Sequence, residues 1–453
     1  MPSFAIENFG CRATEADAVA LRHAMLSDGW THSGDHDRAE VVILNTCTVT
    51  SAADSQSREA IRKIHRANPD ARIIVTGCYA QRSPEEIAAL DGVSCVVGNA
   101  RQLEIPGLVR DFFPIEFLIG QAKAPASHPA STAPAPIFMS EMASESSIHS
   151  GAAESLTGDA TRPILKVQDG CNNRCAYCII PTVRGRSRSL EPDQVIAAVR
   201  RYAEAGVREV VLSGINLGSY GRDLSPRVAV EALVRRILDQ TTIEQIRFSS
   251  IEPQHITEDF ISLVASSQRV AHHFHAPLQS GSDRVLRSMH RWYRSTHYAA
   301  RIERIREMLP HAAIGADVIA GFPGETDADF RQTCEFIESM PFTYLHVFSF
   351  SPRPGTEAGG LSNALPGHII RERARTLRSI GERKTSAFRA SQAGTELRAL
   401  TLGRSTEAWT EAITSNYLKI RITGRHSSNQ WLAIRLTSDA NEIVPPVPAQ
   451  PNR

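Results

Sequence analysis

Cys171, Cys175 and Cys178 stand in the run Gly170-Cys171-Asn172-Asn173-Arg174-Cys175-Ala176-Tyr177-Cys178, whose C-x3-C-x2-C spacing brings three thiolates to one point on a loop. Cysteine sulfur is the ligand of iron–sulfur clusters, and three ligands on a four-iron cluster leave one iron open to bind a small molecule. A zinc knuckle or a buried cysteine cluster is the competing reading. Structural zinc takes four protein ligands, however, and no fourth Cys or His lies close by in the sequence. A second group is spread more widely: Cys11, Cys47 and Cys78 each follow a strand-like run, at Gly10-Cys11, Asn45-Thr46-Cys47 and Gly77-Cys78. Loops at the carboxyl ends of parallel strands form the ligand crevice of an open sheet, so these thiols are expected to converge on a second cluster. The bland alternative is three buried small hydrophobes. Cys95, inside Val93-Ser94-Cys95-Val96-Val97, and Cys334, in the helical pattern Phe330 to Met340, read as core.

The elements that would position these groups follow from periodicity. Up to about residue 118, strand patterns at Phe4 to Phe9, Val41 to Leu44 and Arg72 to Val75 alternate with helix patterns at Glu15 to Leu26 and Ser51 to Arg66, which predicts a parallel sheet with helices packed on it. Residues 119–159 turn to Ala, Ser and Pro, too poor in apolar surface to offset their ordering entropy, and read as a linker. Residues 160–388 repeat strand plus helix about six times, which suggests a partial barrel open on one side to admit a large substrate, with a closed eight-unit barrel as the alternative. Short alternating strands between Glu396 and Leu436 suggest a small all-β barrel over 389–445, a shape often used to hold nucleic acid. A Pro-rich tail, 446–453, completes the chain.

Barrel strand ends carry the expected ligand contacts. Ser213, Gly214 and Asn216 follow the second strand, where glycine permits close approach and the polar pair can hydrogen-bond the amino-acid end of a ligand; Glu252 follows the third and is placed to accept from ribose hydroxyls. Gln279 and Asp317 lie after the fourth and in the fifth. Each alone is equally well explained as a turn residue. Arg184, Arg186 and Arg188 alternate just after the first cysteine group; an extended segment would project all three to phosphates, although a solvated charge run reads the same way. Arg284, Arg287, Arg291 and Arg294, with Trp292 and Tyr293, form a second basic and aromatic patch suited to single-stranded bases.

Across its 453 residues the chain is 42% hydrophobic and 22% charged with a net charge of +1, an ordinary soluble composition that argues neither for nor against nucleic acid. No apolar stretch reaches spanning length and no basic start precedes an apolar run, so a cytoplasmic protein is expected.

With its C-x3-C-x-aromatic-C loop, its second cysteine triplet and its small C-terminal barrel, nearly the whole chain resembles the radical S-adenosylmethionine (SAM) methylthiotransferase family. The loop together with Ile179-Ile180-Pro181 and Arg184 to Ser189 is most similar to the branch acting on N6-threonylcarbamoyladenosine at position 37 of tRNA. The resemblance implies an α/β chain made of an N-terminal parallel domain, a central radical SAM partial barrel and a C-terminal RNA-binding TRAM barrel. It implies that Cys171, Cys175 and Cys178 hold a 4Fe–4S cluster whose open iron chelates SAM beside Tyr177, and that Cys11, Cys47 and Cys78 hold an auxiliary 4Fe–4S cluster carrying the sulfur. SAM would serve as radical source and methyl donor, no side chain would act as acid or base, and tRNA, an external one-electron reductant and a sulfur donor would be partners of a monomer. Alternatives are methylthiolation of isopentenyladenosine in tRNA or of a ribosomal protein, and a non-enzymatic RNA-binding protein with structural metal centres. After Cys11 the run Arg12-Ala13-Thr14-Glu15-Ala16-Asp17 replaces the Asn-containing run common in the family.

Overall fold

Val41-Val42-Ile43-Leu44 and Arg72-Ile73-Ile74-Val75 are buried along their whole length, the signature of parallel strands covered on both faces. The computed structural model describes residues 2–111, 134–142, 148 and 161–436, with 441–443 as backbone. The first sheet runs β1 (Ser3–Asn8), β2 (Thr31–His32), β3 (Val41–Thr46), β4 (Arg72–Gly77), β5 (Val93–Val97) and β6 (Ile137–Phe138), all parallel in the order β2-β1-β3-β4-β5-β6. Helices α1 (Arg12–Ser27) and α2 (Ser51–Ala67) connect them, with Thr50 capping α2 by accepting from the Ala53 N–H.

The linker reading of 119–159 fails over 134–142. Pro136 O accepts from Val96 N at 3.0 Å, Ile137 and Phe138 pair with Val96 and Val97, and Met142 is buried, so this stretch completes the sheet. Two apolar residues beside an unpaired sheet edge are enough to capture a segment whose composition is otherwise that of a loop. The remainder of that stretch, and the tail, fall outside the described residues.

The second body holds six parallel strands, β7 (Ile164–Asp169), β9 (Glu209–Gly214), β10 (Gln245–Phe248), β11 (His273–His275), β12 (Ala313–Ala320) and β13 (Tyr344–Ser349), with the short β8 (Arg188–Ser189) antiparallel to β7 at the edge. Helices follow the strands and share their core: along β12, Ala316 and Val318 pack with the helices, and by the period of two Gly315 and Asp317 face the barrel interior. The partial barrel is not bare on the side of β7 and β9. Helix α1 packs there against β7 and β9, and Arg12, its first residue, reaches Tyr417 Oη at 3.3 Å.

A 25-residue helix, Gly367–Ser391, leads to five strands, β14 (Glu396–Ser405), β15 (Trp409–Thr414), β16 (Lys419–Thr423), β17 (Trp431–Leu436) and β18 (Asn441–Ile443), closed in the order β14-β15-β16-β18-β17. This barrel is seated under the central one. Arg247, fully buried, pairs with Glu209 and donates to the backbone oxygens of Thr414 and Ser415, while Tyr417 stacks on His273 with ring centroids 3.9 Å apart.

Candidate active site

Cys11, Cys47 and Cys78 emerge from β1, β3 and β4, three neighbours in one sheet. Gly10, at φ +119°, and Gly77, at φ +96°, turn the chain sharply before two of them; a Cβ on Gly10 would lie 2.7 Å from Cys47 Cβ and 3.0 Å from its sulfur. Burial pushes the Cys47 thiol up to about 12, the neighbouring Cys78 and Cys11 adding to the rise. Burial likewise raises Cys78, against the pull of the Arg184 guanidinium. Thiols such as Cys47 and Cys78, which burial keeps from ionising alone, are suited to a strongly cationic partner. Each set offers three free cysteine sulfurs, one short of the four protein ligands of a structural zinc, and such a donor set fits a four-iron cluster with one iron left open.

The second set is held in the loop after β7. Gly170, at φ +70°, brings the chain so close to Arg186 that a Cβ would sit 2.0 Å from its carbonyl oxygen, and Cys171 N donates to Gly185 O at 3.1 Å. Asn173 N donates to Cys171 Sγ at 3.4 Å and Arg291 Nη1 to Cys175 Sγ at 3.4 Å, N–H···S contacts of the kind that tune a cluster. Burial raises Cys171 and takes Cys178 to about 12, and the three thiols interact with one another. Tyr177 packs with Val285, Met289 and Phe322, closing the loop against the barrel top.

Asn216, whose N–H donates to Gln168 Oε1 at 2.7 Å, lines a cavity of about 460 Å³ together with Asn172, Ser219, His255 and Trp292. Its side-chain Oδ1 is buried with no hydrogen-bond partner among the described residues, as is Ser249 Oγ; an orphaned acceptor beside the cysteine loop fits the ammonium group of an amino acid such as SAM. Ser213 is buried, and Gly214 leaves room for Gln168, since a Cβ there would lie 2.8 Å from Gln168 Oε1. Gln279 sits at the turn with φ +68°, its N–H on Asp317 O at 2.8 Å.

Four expected contacts are engaged elsewhere. Glu252 is ion-paired with Arg291, whose side chain is buried in the barrel. Asp317 accepts from His275 Nε2 at 2.9 Å and lies 3.3 Å from His346 Nδ1, and these partners hold its carboxyl below the usual range against the opposing effect of burial. Arg184 and Arg188 are buried: Arg184 pairs with Asp17 at 2.8 Å and Asp169 at 3.2 Å, and Arg188 Nη1 donates to Arg184 O at 3.0 Å. The segment is not extended. Ile180–Arg184 forms a short helix, so only Arg186 of the three is exposed. Tyr293 is buried as well, whereas Trp292 is 76% exposed at the cavity rim. His275, His346 and Asn99, whose Nδ2 reaches Val183 O at 2.7 Å and lies 3.9 Å from Cys78 Sγ, were not legible as site residues, because none stands in a recognisable spacing; Arg291 was read as part of a base-binding patch and instead donates to Cys175.

Residues 3–98 match the model of Uncharacterized protein family UPF0004 and residues 165–337 that of the Radical SAM superfamily. The chain is 35% identical to the threonylcarbamoyladenosine tRNA methylthiotransferase MtaB of Aquifex aeolicus (strain VF5), over 93% of this chain and 96% of that protein. The chain belongs to the radical SAM methylthiotransferase family. Like-named MtaB of Bacillus subtilis (strain 168) is 34% identical over 94% of this chain and 91% of its own, and a tRNA-2-methylthio-N(6)-dimethylallyladenosine synthase of Thermobifida fusca (strain YX) is 31% identical over 88% and 77%. Among solved structures, the radical SAM methyltransferase TsrM of Kitasatospora setae shares the fold with a TM-score of 0.53 at 14% identity, covering 79% of this chain and 75% of its own. As a family member this methylthiotransferase uses SAM and 4Fe–4S clusters. Among the described residues no helix is long and apolar enough to cross a membrane.

Proposed function

We propose that the chain methylthiolates C2 of N6-threonylcarbamoyladenosine at position 37 of tRNA, with Cys171, Cys175 and Cys178 holding the radical SAM cluster and Cys11, Cys47 and Cys78 the auxiliary one. The observation that carries this reading is the seam between the two cysteine sets: the helix that leaves Cys178 covers Cys78, with Ile179 and Val183 packed on it. Bound there, the clusters and SAM supply hydrogen abstraction from an unactivated C–H and the sulfur and methyl group to replace it. The protein's own residues orient and exclude water. Asn216 offers an acceptor for the SAM ammonium, Arg291 donates to Cys175, and the apolar packing of Tyr177, Val285 and Met289 keeps one side of the loop dry.

For the RNA, Arg186 and Trp292 stand exposed beside the cysteine loop, and on the C-terminal barrel Arg398 lies 4.1 Å over the Trp431 ring and Arg421 4.3 Å over Trp409. Guanidinium and indole together give phosphate and base contacts without reading sequence. A cytoplasmic monomer, an external one-electron reductant and a sulfur donor belong to the same proposal. Mass spectrometry of tRNA nucleosides from a deletion strain tests it: the 2-methylthio derivative of threonylcarbamoyladenosine disappears, and its persistence at the parental level refutes the assignment. The relatives named as dimethylallyladenosine synthases favour a second reading, in which the isopentenyl derivative disappears instead.

A further inference from the structure

Arg184 is a charged side chain sealed between two bodies, and its donors are used unequally. The side chains of Asp17, Lys166, Asp169 and Arg184 are each 7% exposed or less. Asp17 comes from α1, six residues after Cys11, and Asp169 ends β7, two residues before Cys171. Lys166 pairs with both carboxylates, and Arg184 spans the same two with Nη2 on Asp17 at 2.8 Å and Nη1 on Asp169 at 3.2 Å. That fork fixes the plane of the guanidinium. Its Nε–H is buried without a hydrogen-bond partner among the described residues.

An orphaned buried donor is costly, so such a group normally has an acceptor to meet. What lies beside it is the second cysteine set: Val183, its neighbour in the chain, packs on Cys78, and Asn99 Nδ2, which donates to Val183 O at 2.7 Å, lies 3.9 Å from Cys78 Sγ. Ile179 and Val183, on the turn and helix that carry Arg184, bury Cys78 from above.

We propose that Arg184 is a positioning residue for the auxiliary cluster: held by Asp17 and Asp169, it directs its Nε–H and positive charge at the Cys78 side of that cluster and raises its reduction potential. The inference rests on the assignment of Cys11, Cys47 and Cys78 as its ligands. Reduction adds one electron from an external donor to a buried, already anionic group, and a fixed cation and an N–H···S contact both stabilise the added charge. The helix also couples the two sites, because the residue that tunes one cluster is six positions from Cys178, a ligand of the other.

The test uses full-length chain carrying Cys171→Ala, Cys175→Ala and Cys178→Ala, so that only the auxiliary cluster is reconstituted, with the 2+/1+ couple followed by EPR in a dithionite titration. Arg184→Gln is expected to retain iron and lower the midpoint at least tenfold in the equilibrium constant, about 59 mV for one electron. Arg184→Lys keeps a charge between the two aspartates but lacks Nε–H, and is expected to shift the same way by less. Arg186→Gln, two residues away and exposed, is expected to leave the midpoint alone. An unshifted midpoint in Arg184→Lys overturns the proposal, and this variant decides the matter if Arg184→Gln does not fold. A shift of equal size in Arg186→Gln overturns it too. If the triple-alanine chain itself takes up no cluster, the ligand assignment beneath the proposal is wrong.

Discussion

Arg184 and Arg291 are both buried guanidiniums anchored on carboxylate; Arg291 donates to Cys175 Sγ, and Arg184 takes, in our proposal, the corresponding place at the other cysteine set. Neither can be replaced by a surface charge, since only a desolvated donor acts at full strength on a buried anion. The cysteines themselves divide by task. Cys175→Ala is expected to abolish formation of 5′-deoxyadenosine from SAM, whereas Cys47→Ala is expected to spare it and to stop methylthio transfer; chromatography of both products in one reaction checks the pair. Gly10 makes a subtler demand. At φ +119°, with a Cβ destined for Cys47, Gly10→Ala should displace the second cysteine set, and iron per reconstituted chain is expected to fall from about eight to about four while 5′-deoxyadenosine still forms.

At the level of elements, strands and cysteines were legible because local rules act on both. Buried parallel strands are continuous apolar runs, and a thiol at each carboxyl end is placed by topology alone, which is why β1, β3 and β4 and their cysteines could be read before any coordinates. The arginines after Cys178 were misread for an equally local reason. Positions 184, 186 and 188 share a face only if the whole segment is extended, and Pro181 near the first helical position instead starts a turn of helix that ends in the buried Arg184, while Arg188 is buried on β8 beside β7. Strand β6 was missed because pairing with a distant sheet edge leaves no periodic trace in two residues. Long-range charge pairing is equally silent in sequence: Arg247, on β10, satisfies Glu209 on β9 and the turn after β15. Removing it leaves a buried carboxylate with only Arg162, so Arg247→Met is expected to cost about 3–5 kcal/mol in urea unfolding, with loosening of the C-terminal barrel.

For the whole molecule, a net charge of +1 gives no general attraction to RNA, so binding has to come from local patches. Arg186 is exposed close to the cysteine loop, as is Arg174 within it. Arg186→Ala is expected to weaken tRNA binding and to flatten the plot of log affinity against log salt by about 0.7–0.9, one phosphate contact, as read by filter binding over a range of KCl concentrations. The same substitution should leave 5′-deoxyadenosine formation without tRNA unchanged.

Tyr417 stacked on His273 stoppers the floor of the central barrel, and α1 fills its flank from Arg12 onward. The barrel is therefore a cup rather than a tube. Two molecules of SAM, their spent products and a nucleotide still attached to tRNA all have to pass over one rim, and none can leave by the back while another waits at the front. Traffic of that kind is expected to impose an order on the reaction, with a seated tRNA holding in place whatever entered before it.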